Sequence, residues 1–309
     1  MSSDAQKVAA AVAAMRAAPG DANAQANGCT ALNTLSCESD ANDALIASAG
    51  GIDAIVFGMF AHTTIAAVQL NGCTILRNLS IHDANRELIA SVGGIKAVVA
   101  AMRAHAANAA VQVSGCGALR GLSGLHTNQA LIASAGGIEA IVSGMLAHAA
   151  NATLQERGCA ALKNLSYLDA NEALIGSAGG IEAIVAGMRA HAANAAVQEN
   201  GCGALRNLSI LDANRALIAS AGGIEAIAAG MRAHASNAAV QEHGCSVLED
   251  VSKKEAHRAR LVSAGGIEAM QAAMCAHPTV ANIATWGKRA VDACAAQTGM
   301  FSNNIYCKG

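Results

Sequence analysis

Side chains that could carry chemistry recur at a nearly constant interval along this chain. A cysteine follows glycine at six positions spaced 43 or 44 residues apart: Cys29, Cys73, Cys116, Cys159, Cys202 and Cys245. A histidine repeats with a similar period: His62, His105, His148, His191, His234 and His277. Thiols and imidazoles at regular spacing raise two possibilities, a disulfide framework or a series of metal sites.

The spacing itself argues against both possibilities. Equivalent positions in adjacent helical layers lie about 10 Å apart, whereas a disulfide needs Cα atoms within about 6.8 Å. Imidazoles one layer apart cannot share a zinc ion at about 2.0–2.1 Å. We therefore expect the six cysteines to be small buried apolar groups, which favours a reducing compartment. Four other cysteines lie outside this series, and Cys307 near the C-terminus is the expected reactive thiol; the four are Cys37, Cys275, Cys294 and Cys307.

The remaining polar residues give no sign of a catalytic site. The histidines are expected at helix C-termini, where an imidazole can bond free carbonyl groups. Asp53 and the glutamates that follow four of the other Gly-Gly-Ile triplets suit the first turn of a helix, with Lys96 as the exception. The nucleophile, zinc-protease and phosphate-loop motifs are absent from the sequence. We predict a non-enzymatic protein with no cofactor and no bound metal.

The elements that hold these residues form a repeat. Gly-Gly-Ile begins at six positions, each 43 residues after the last: Gly50, Gly93, Gly136, Gly179, Gly222 and Gly265. Within residues 179–221, apolar spacing predicts three helices, one after the glycine pair, a long one from about Asn194 to Ser209, and a short one from Asp212. In the preceding repeat, Asp169 and Glu172 have the spacing of a capping box.

A unit of this size cannot bury its apolar faces alone, so the repeats must stack. We predict an all-α, right-handed α-solenoid, a superhelix of about six three-helix repeats of 43 residues. Residues 1–20 are the predicted N-terminal half-repeat cap, 21–265 the repeat array, 266–298 the C-terminal repeat and cap, and 299–309 a flexible tail. The first cap is indicated by Val8, Val12 and Met15, which match apolar residues of the next repeat.

Composition restricts the classes of partner that the protein could bind and the cell compartment in which we expect it. The 309 residues include 76 alanines but only three Phe, two Tyr and one Trp, which favours closely packed helices over a β-sandwich. A net charge of −2 argues against a broad nucleic-acid surface. The sequence offers neither a run of about 20 apolar residues nor a secretory signal at its start. We expect a cytoplasmic protein without membrane insertion, with the nucleus or a cilium as further possibilities.

The unit resembles the armadillo repeat. The resemblance is carried by Val197-Gln198, then Ala204-Leu205-Arg206-Asn207-Leu208-Ser209, then Ala221-Gly222-Gly223-Ile224, and it covers residues 5–298. It implies a concave groove lined by the long helices, in which a column of asparagines bonds the backbone of an extended peptide. An amide suits that role because it both donates and accepts.

The resemblance implies a protein-binding groove lined by Arg77, Asn78, Arg120, Lys163, Asn164, Glu199, Arg206 and Asn207. The asparagine column departs from the family pattern at Thr34, Gly121 and Asp250. The tryptophan column of nuclear import receptors is absent, because small residues such as Gly117 and Gly203 stand in its place. A basic stripe on a nearly neutral chain favours an acidic or helical partner segment over a basic localisation signal.

Two functions remain open at the level of sequence. The first is a non-catalytic scaffold that binds a protein or peptide segment along the groove. The second is a permanent structural or assembly subunit whose alanine-rich surfaces are buried in a larger complex. The near-identity of the central repeats also fits an engineered consensus array, but departures such as Gly121 and Lys253-Lys254 favour duplication followed by drift.

Overall fold

The computed structural model describes residues 2–298, and both Cys307 and the predicted tail 299–309 lie outside them. The described residues form twenty α-helices and no strand. They fall into two compact units, Met1–His148 and Ala149–Gly309, and the division lies within the predicted array 21–265. Each unit is an α-solenoid built from the same three-helix repeat, so the prediction of an all-α solenoid is confirmed.

In the first unit, a single helix is followed by three repeats, each made of a long, a short and an intermediate helix. These are α1 (Ser3–Ala17), α2 (Ala22–Glu38), α3 (Asp40–Ser48), α4 (Gly51–Ala61), α5 (Ala66–Leu79), α6 (Asp83–Ser91), α7 (Gly94–Ala104), α8 (Ala109–Leu122), α9 (His126–Ser134) and α10 (Gly137–Ala147).

In the second unit, three repeats of the same order are followed by a final helix. These are α11 (Ala152–Leu165), α12 (Asp169–Ser177), α13 (Gly180–Ala190), α14 (Ala195–Leu208), α15 (Asp212–Ser220), α16 (Gly223–Ala233), α17 (Ala238–Ser252), α18 (Glu255–Ser263), α19 (Gly266–Ala276) and α20 (Ala281–Thr298).

Specific residues begin and end these helices. The Asn194 side chain accepts from the backbone N–H groups of Ala196 and Val197 and caps α14. Gly222 separates α15 from α16 at φ 78°, a left-handed conformation that favours glycine. The capping box predicted at Asp169 is wrong, because Leu168 is the N-cap of α12 and no side chain caps it. Asp169 is already the first helical residue, one position too late to cap.

Helices of one kind stack on the same kind in the next repeat. In the first unit the long helices α2, α5 and α8 pack together, and α1, α4, α7 and α10 form a second layer. In the second unit α11, α14, α17 and α20 pack in the same way, beside α13, α16 and α19. Small residues also bring a long helix close to the intermediate helix before it: a Cβ on Gly201 of α14 would lie 2.7 Å from the Met188 side chain of α13.

Buried glutamines, which the sequence analysis missed, tie each long helix to the intermediate helix before it. The Gln198 amide is 1% exposed, and its Nε2 donates to the carbonyls of Met188 (2.8 Å) and His191 (3.2 Å). Four other repeats contain the same pair of bonds, made by Gln25, Gln69, Gln112 and Gln241. Because these glutamines recur with the repeat, their period was the signal that could have identified them.

Two further bonds link neighbouring repeats. The histidine that ends each intermediate helix donates from Nε2 to a carbonyl of the preceding repeat, as His234 does to Ala192 O at 2.8 Å. This confirms the helix C-terminal position predicted for the histidines. In α1 and in three of the intermediate helices, an arginine in the last turn donates forward to a glycine carbonyl of the next repeat, as Arg189 does to Gly222 O at 2.8 Å.

Among the described residues, no single helix is both long and apolar enough to cross a membrane. In four places a short helix and the intermediate helix after it are together long and apolar enough to cross a membrane. Each of these pairs is bent by 72–74° at the glycine turn.

Candidate functional site

The predicted binding residues all lie on the long helices, and repeat packing sets their positions. In α14, Leu205 and Leu208 are fully buried, and this turns Arg206 and Asn207 toward the half-buried side. Glu199 lies two turns earlier on the same face, and Ile210 follows the helix end with 67% exposure. The face is therefore a mixed surface of cations, amides and exposed apolar groups.

In the first unit, part of this face is already bonded within the protein. Asn78 donates from Nδ2 to Asn33 Oδ1 at 2.8 Å, and its Oδ1 accepts from Arg77 Nε and Nη2 at 3.1 and 3.0 Å. Arg120 is exposed at the end of α8. An asparagine bonded in this way serves as a bridge between repeats, so a peptide would have to compete for its amide.

Asn207 of the second unit forms a similar bridge. Asn207 Nδ2 donates to Lys163 O at 3.3 Å and to Ser166 Oγ at 3.1 Å, both at the end of the preceding long helix. Asp250, at the same position one repeat later, accepts from Ser209 Oγ at 2.8 Å. Asn164 is half-buried on the same face. These bonds satisfy carbonyl and hydroxyl groups where one long helix ends.

The cations of the second unit are placed differently. Lys163 and Arg206 are half-buried, and neither forms an ion pair with a carboxylate among residues 2–298. The Arg206 guanidinium lies 5.3 Å from the centre of the Trp286 ring, a cation–π contact with the final helix. Trp286 was not among the predicted binding residues, because it stands outside the tryptophan column of the family pattern.

The electrostatic effect of these cations is visible at His243, on the neighbouring helix α17. Burial lowers the pKa of its imidazole, and the positive charges of Arg206 and Lys163 lower that pKa further. A pKa lowered by a neighbouring arginine and lysine indicates local positive potential, which an anionic group would relieve.

Exposed apolar side chains border the same face. Ile210 and Tyr167 occupy equivalent positions just beyond the long helices α14 and α11, and they are 67% and 60% exposed. Ile81 occupies this position in the first unit with 65% exposure. Each lies three residues beyond the asparagine column, so apolar and polar groups follow one another along the helix end.

The cysteines are buried, as predicted, and they carry no site. The members of the series are free thiols, and burial raises the pKa of Cys202 to about 12, so it remains protonated. Cys275, outside the series, is disulfide-bonded. Within residues 2–298, no group of three or more His, Cys, Asp or Glu side chains could hold a metal ion. The reducing compartment stays a prediction.

Comparison with known proteins relates the chain to other helical folds. No family model and no curated protein matches the sequence. An engineered protein of known crystal structure matches with TM-score 0.77 at 22% identity, over 93% of this chain and 68% of that one. A chain from a study of a phosphorylation switch controlling the interaction between cadherin and β-catenin matches with TM-score 0.54 at 17% identity, over 94% of this chain and 66% of that one. At these identities the likeness establishes the helical solenoid fold.

Proposed function

We propose that this protein is an armadillo-like, non-catalytic interaction scaffold that binds an acidic and apolar protein segment on the long-helix face of its second unit. The observation that carries the proposal is the placement of Lys163 and Arg206. Both cations are half-buried and lack a carboxylate partner among the described residues, and exposed Tyr167 and Ile210 stand beside them. A partner that offers carboxylates next to apolar side chains complements both features.

The electrostatic cost of the free face supports this choice of partner. Burial lowers the pKa of His243, and the nearby charges of Arg206 and Lys163 lower it further, which indicates that the free face keeps positive charges close together. A bound carboxylate would offset that repulsion, and a phosphate would do so with more oxygen acceptors. The cadherin and β-catenin neighbour belongs to a protein-interaction system, which is in keeping with a binding role.

The asparagines make a smaller contribution to this proposal than the family pattern implies. Asn78 and Asn207 already donate to neighbouring repeats. We therefore assign recognition mainly to cations and apolar contacts, and we assign the asparagines to repeat packing. Of the remaining predicted residues, Asn164 and Glu199 lie on the long helices of this unit, and Arg77 and Arg120 lie on the long helices of the first unit.

Fluorescence anisotropy with a labelled peptide of alternating glutamate and leucine tests the proposal, and an alternating lysine and leucine peptide is the reference. The acidic peptide should bind more tightly, and its affinity should fall as salt is added. Exchange of Lys163→Gln and Arg206→Gln together should weaken binding by about tenfold or more.

A matched control removes two cations elsewhere. Lys7 and Lys254 lie on α1 and at the start of α18, away from the long-helix face. Their double exchange for glutamine makes the same change in net charge and should leave affinity nearly unchanged. Equal affinity for both peptides, or equal losses in both double variants, would show that no specific anionic segment is recognised.

A further inference from the structure

Departures from the repeat gather on one outer face of the first unit, away from the long helices. Phe57 occupies a position that holds alanine or serine in every other repeat, including Ala100 one repeat later. Phe60 stands where arginine is commonest, and Val92 where the other repeats have alanine. Together they line a cleft of about 570 Å³. Two of these changes replace a small side chain by a larger apolar one, and the third places an aromatic ring where a cation is commonest. Three such changes in one cleft indicate a contact surface.

The two phenylalanines are exposed although the chain has only three in all. Phe57 is 58% exposed and Phe60 is 47% exposed, and both lie on α4. Aromatic side chains bury large areas in interfaces and often dominate the binding energy. Their exposure on α4 therefore calls for a partner surface with a hollow that receives them.

Such a hollow lies on the next layer of the same unit. It measures about 690 Å³, lies along α7 and is lined by Lys96, Ala100 and Arg103 among others. Ala100 and Arg103 occupy the positions that Phe57 and Phe60 occupy on α4, since each pair is 43 residues apart. The two phenylalanines of α4 thus correspond to a small residue and a cation at the equivalent positions of α7.

The charged side chains of α4 and α7 also differ at equivalent positions. Asp53 is exposed one turn before Phe57, and Lys96 occupies the equivalent position one turn before Ala100. Every later repeat has glutamate at this position, so Lys96 is a charge reversal confined to this layer. Neither Asp53 nor Lys96 forms an ion pair among residues 2–298.

We propose that this face pairs with the same face of a second copy of the chain. A two-fold axis that runs parallel to α4 and α7, between them, places α4 of each copy over α7 of the other. In a two-fold dimer, each contact between a residue of one copy and a residue of the other occurs twice. Asp53 then faces Lys96 of the other copy, Phe57 enters the hollow at Ala100, and Phe60 covers Arg103 with a cation–π contact.

Sedimentation velocity of the full chain over a range of concentrations tests the pairing, with disulfide-linked species excluded by non-reducing electrophoresis. The chain should show a reversible monomer–dimer equilibrium that weakens as salt is added. Phe57→Ala installs the residue found elsewhere at this position and should weaken dimerisation by about tenfold or more. Leu146→Arg is the matched control: it changes a 54% exposed residue at the Phe60 position of α10, outside the paired face, and should have no effect.

Charge exchange gives the sharper test. Asp53→Lys and Lys96→Glu each place like charges opposite each other, so each variant alone should be largely monomeric. An equimolar mixture of the two restores two opposite-charge contacts and should form a mixed dimer, and the double variant should dimerise alone. Lysine and glutamate already occur at this position in the repeat, so both variants should fold. A chain that stays monomeric, a chain that forms open polymers, or singles that fail to complement would each overturn the proposal.

Discussion

Replacing Glu172 by glutamine is expected to stabilise the folded protein at neutral pH by about 1 kcal/mol. Glu172 lies in the short helix α12 and is 6% exposed. At the same position in four other repeats, a side-chain donor bonds the carbonyl of the serine that follows the long helix. These donors are Arg86 to Ser80 O (2.6 Å), Gln129 to Ser123 O (3.2 Å), Arg215 to Ser209 O (2.9 Å) and Arg258 to Ser252 O (2.8 Å).

The expected magnitude follows from these bonds. An ionised Glu172 can only accept, so it cannot bond the carbonyl of Ser166 as Gln129 bonds that of Ser123. A neutral hydrogen bond contributes about 0.5–1.5 kcal/mol, and one from a charged donor about 1.5–3 kcal/mol. Glu172→Gln should therefore gain about 1 kcal/mol. Glu172→Arg should gain about 1.5 kcal/mol or more, because the guanidinium bonds in other repeats are shorter.

The pH dependence separates this account from a general effect of the substitution. Burial, assisted by the nearby charge of Asp169, raises the pKa of the Glu172 carboxyl above its ordinary 4.5. A raised folded-state pKa means that the carboxyl stabilises the fold below pH 4.5, and that this contribution is lost as pH rises through the folded pKa. The advantage of glutamine should thus be small in acid and should grow toward neutral pH.

Urea denaturation of both proteins at several pH values measures this difference, and Gln129→Glu is the reciprocal control. That variant should lose stability at neutral pH by a similar amount and recover part of it in acid. The reasoning is refuted if Glu172→Gln lowers stability at neutral pH, or if its advantage is the same at every pH.

Three further predictions concern helix ends, the glycine turn and the cationic face. Gln198→Met removes the donor to two carbonyls and should cost about 2–3 kcal/mol in urea denaturation. Gly179→Ala forces alanine to φ 78° and should cost about 1–2 kcal/mol, whereas Gly20→Ala has no neighbour within 4 Å and should cost little. His243 has a pKa lowered by burial and by Arg206, so its contribution to stability is present above pH 6.5 and lost as pH falls through the folded pKa; His243→Gln should flatten that loss in thermal melts.

For each of these three predictions, one result would contradict the stated physical cause. A Gln198→Met variant as stable as the parent would mean that water satisfies the freed carbonyls. Equal costs for the two glycine variants would exclude backbone conformation as the cause. An unchanged acid dependence in His243→Gln would assign that dependence to other groups.

Periodicity was enough to predict the helices and the histidines at the ends of the intermediate helices. The helix α14 was expected from about Asn194 to Ser209 and runs from Ala195 to Leu208, because its cap and its apolar spacing are both local signals. The histidines were correctly placed at helix ends for the same reason. The capping box at Asp169 failed because its spacing is satisfied one residue past the true N-cap, and only the turn geometry reveals that offset.

The candidate face was harder to predict, because it depends on which partners occupy each side chain. Sequence places Asn78 and Asn207 in one column with Lys163 and Arg206 beside it, and the family pattern treats the asparagines as open to a peptide. Their bonds to Asn33 and Ser166 join residues 41 to 45 positions apart and become visible only in the folded protein. The contact between Arg206 and Trp286 is of the same kind.

The bonds between layers have a consequence for how such a chain can grow. The histidine bonds reach back 42 or 43 residues and the arginine bonds reach forward 32 to 34, so none extends beyond the adjoining repeat. A copied segment of 43 residues spliced between two repeats would find every one of these partners at the required offset. Array length can therefore change by whole repeats without the loss of any of these bonds.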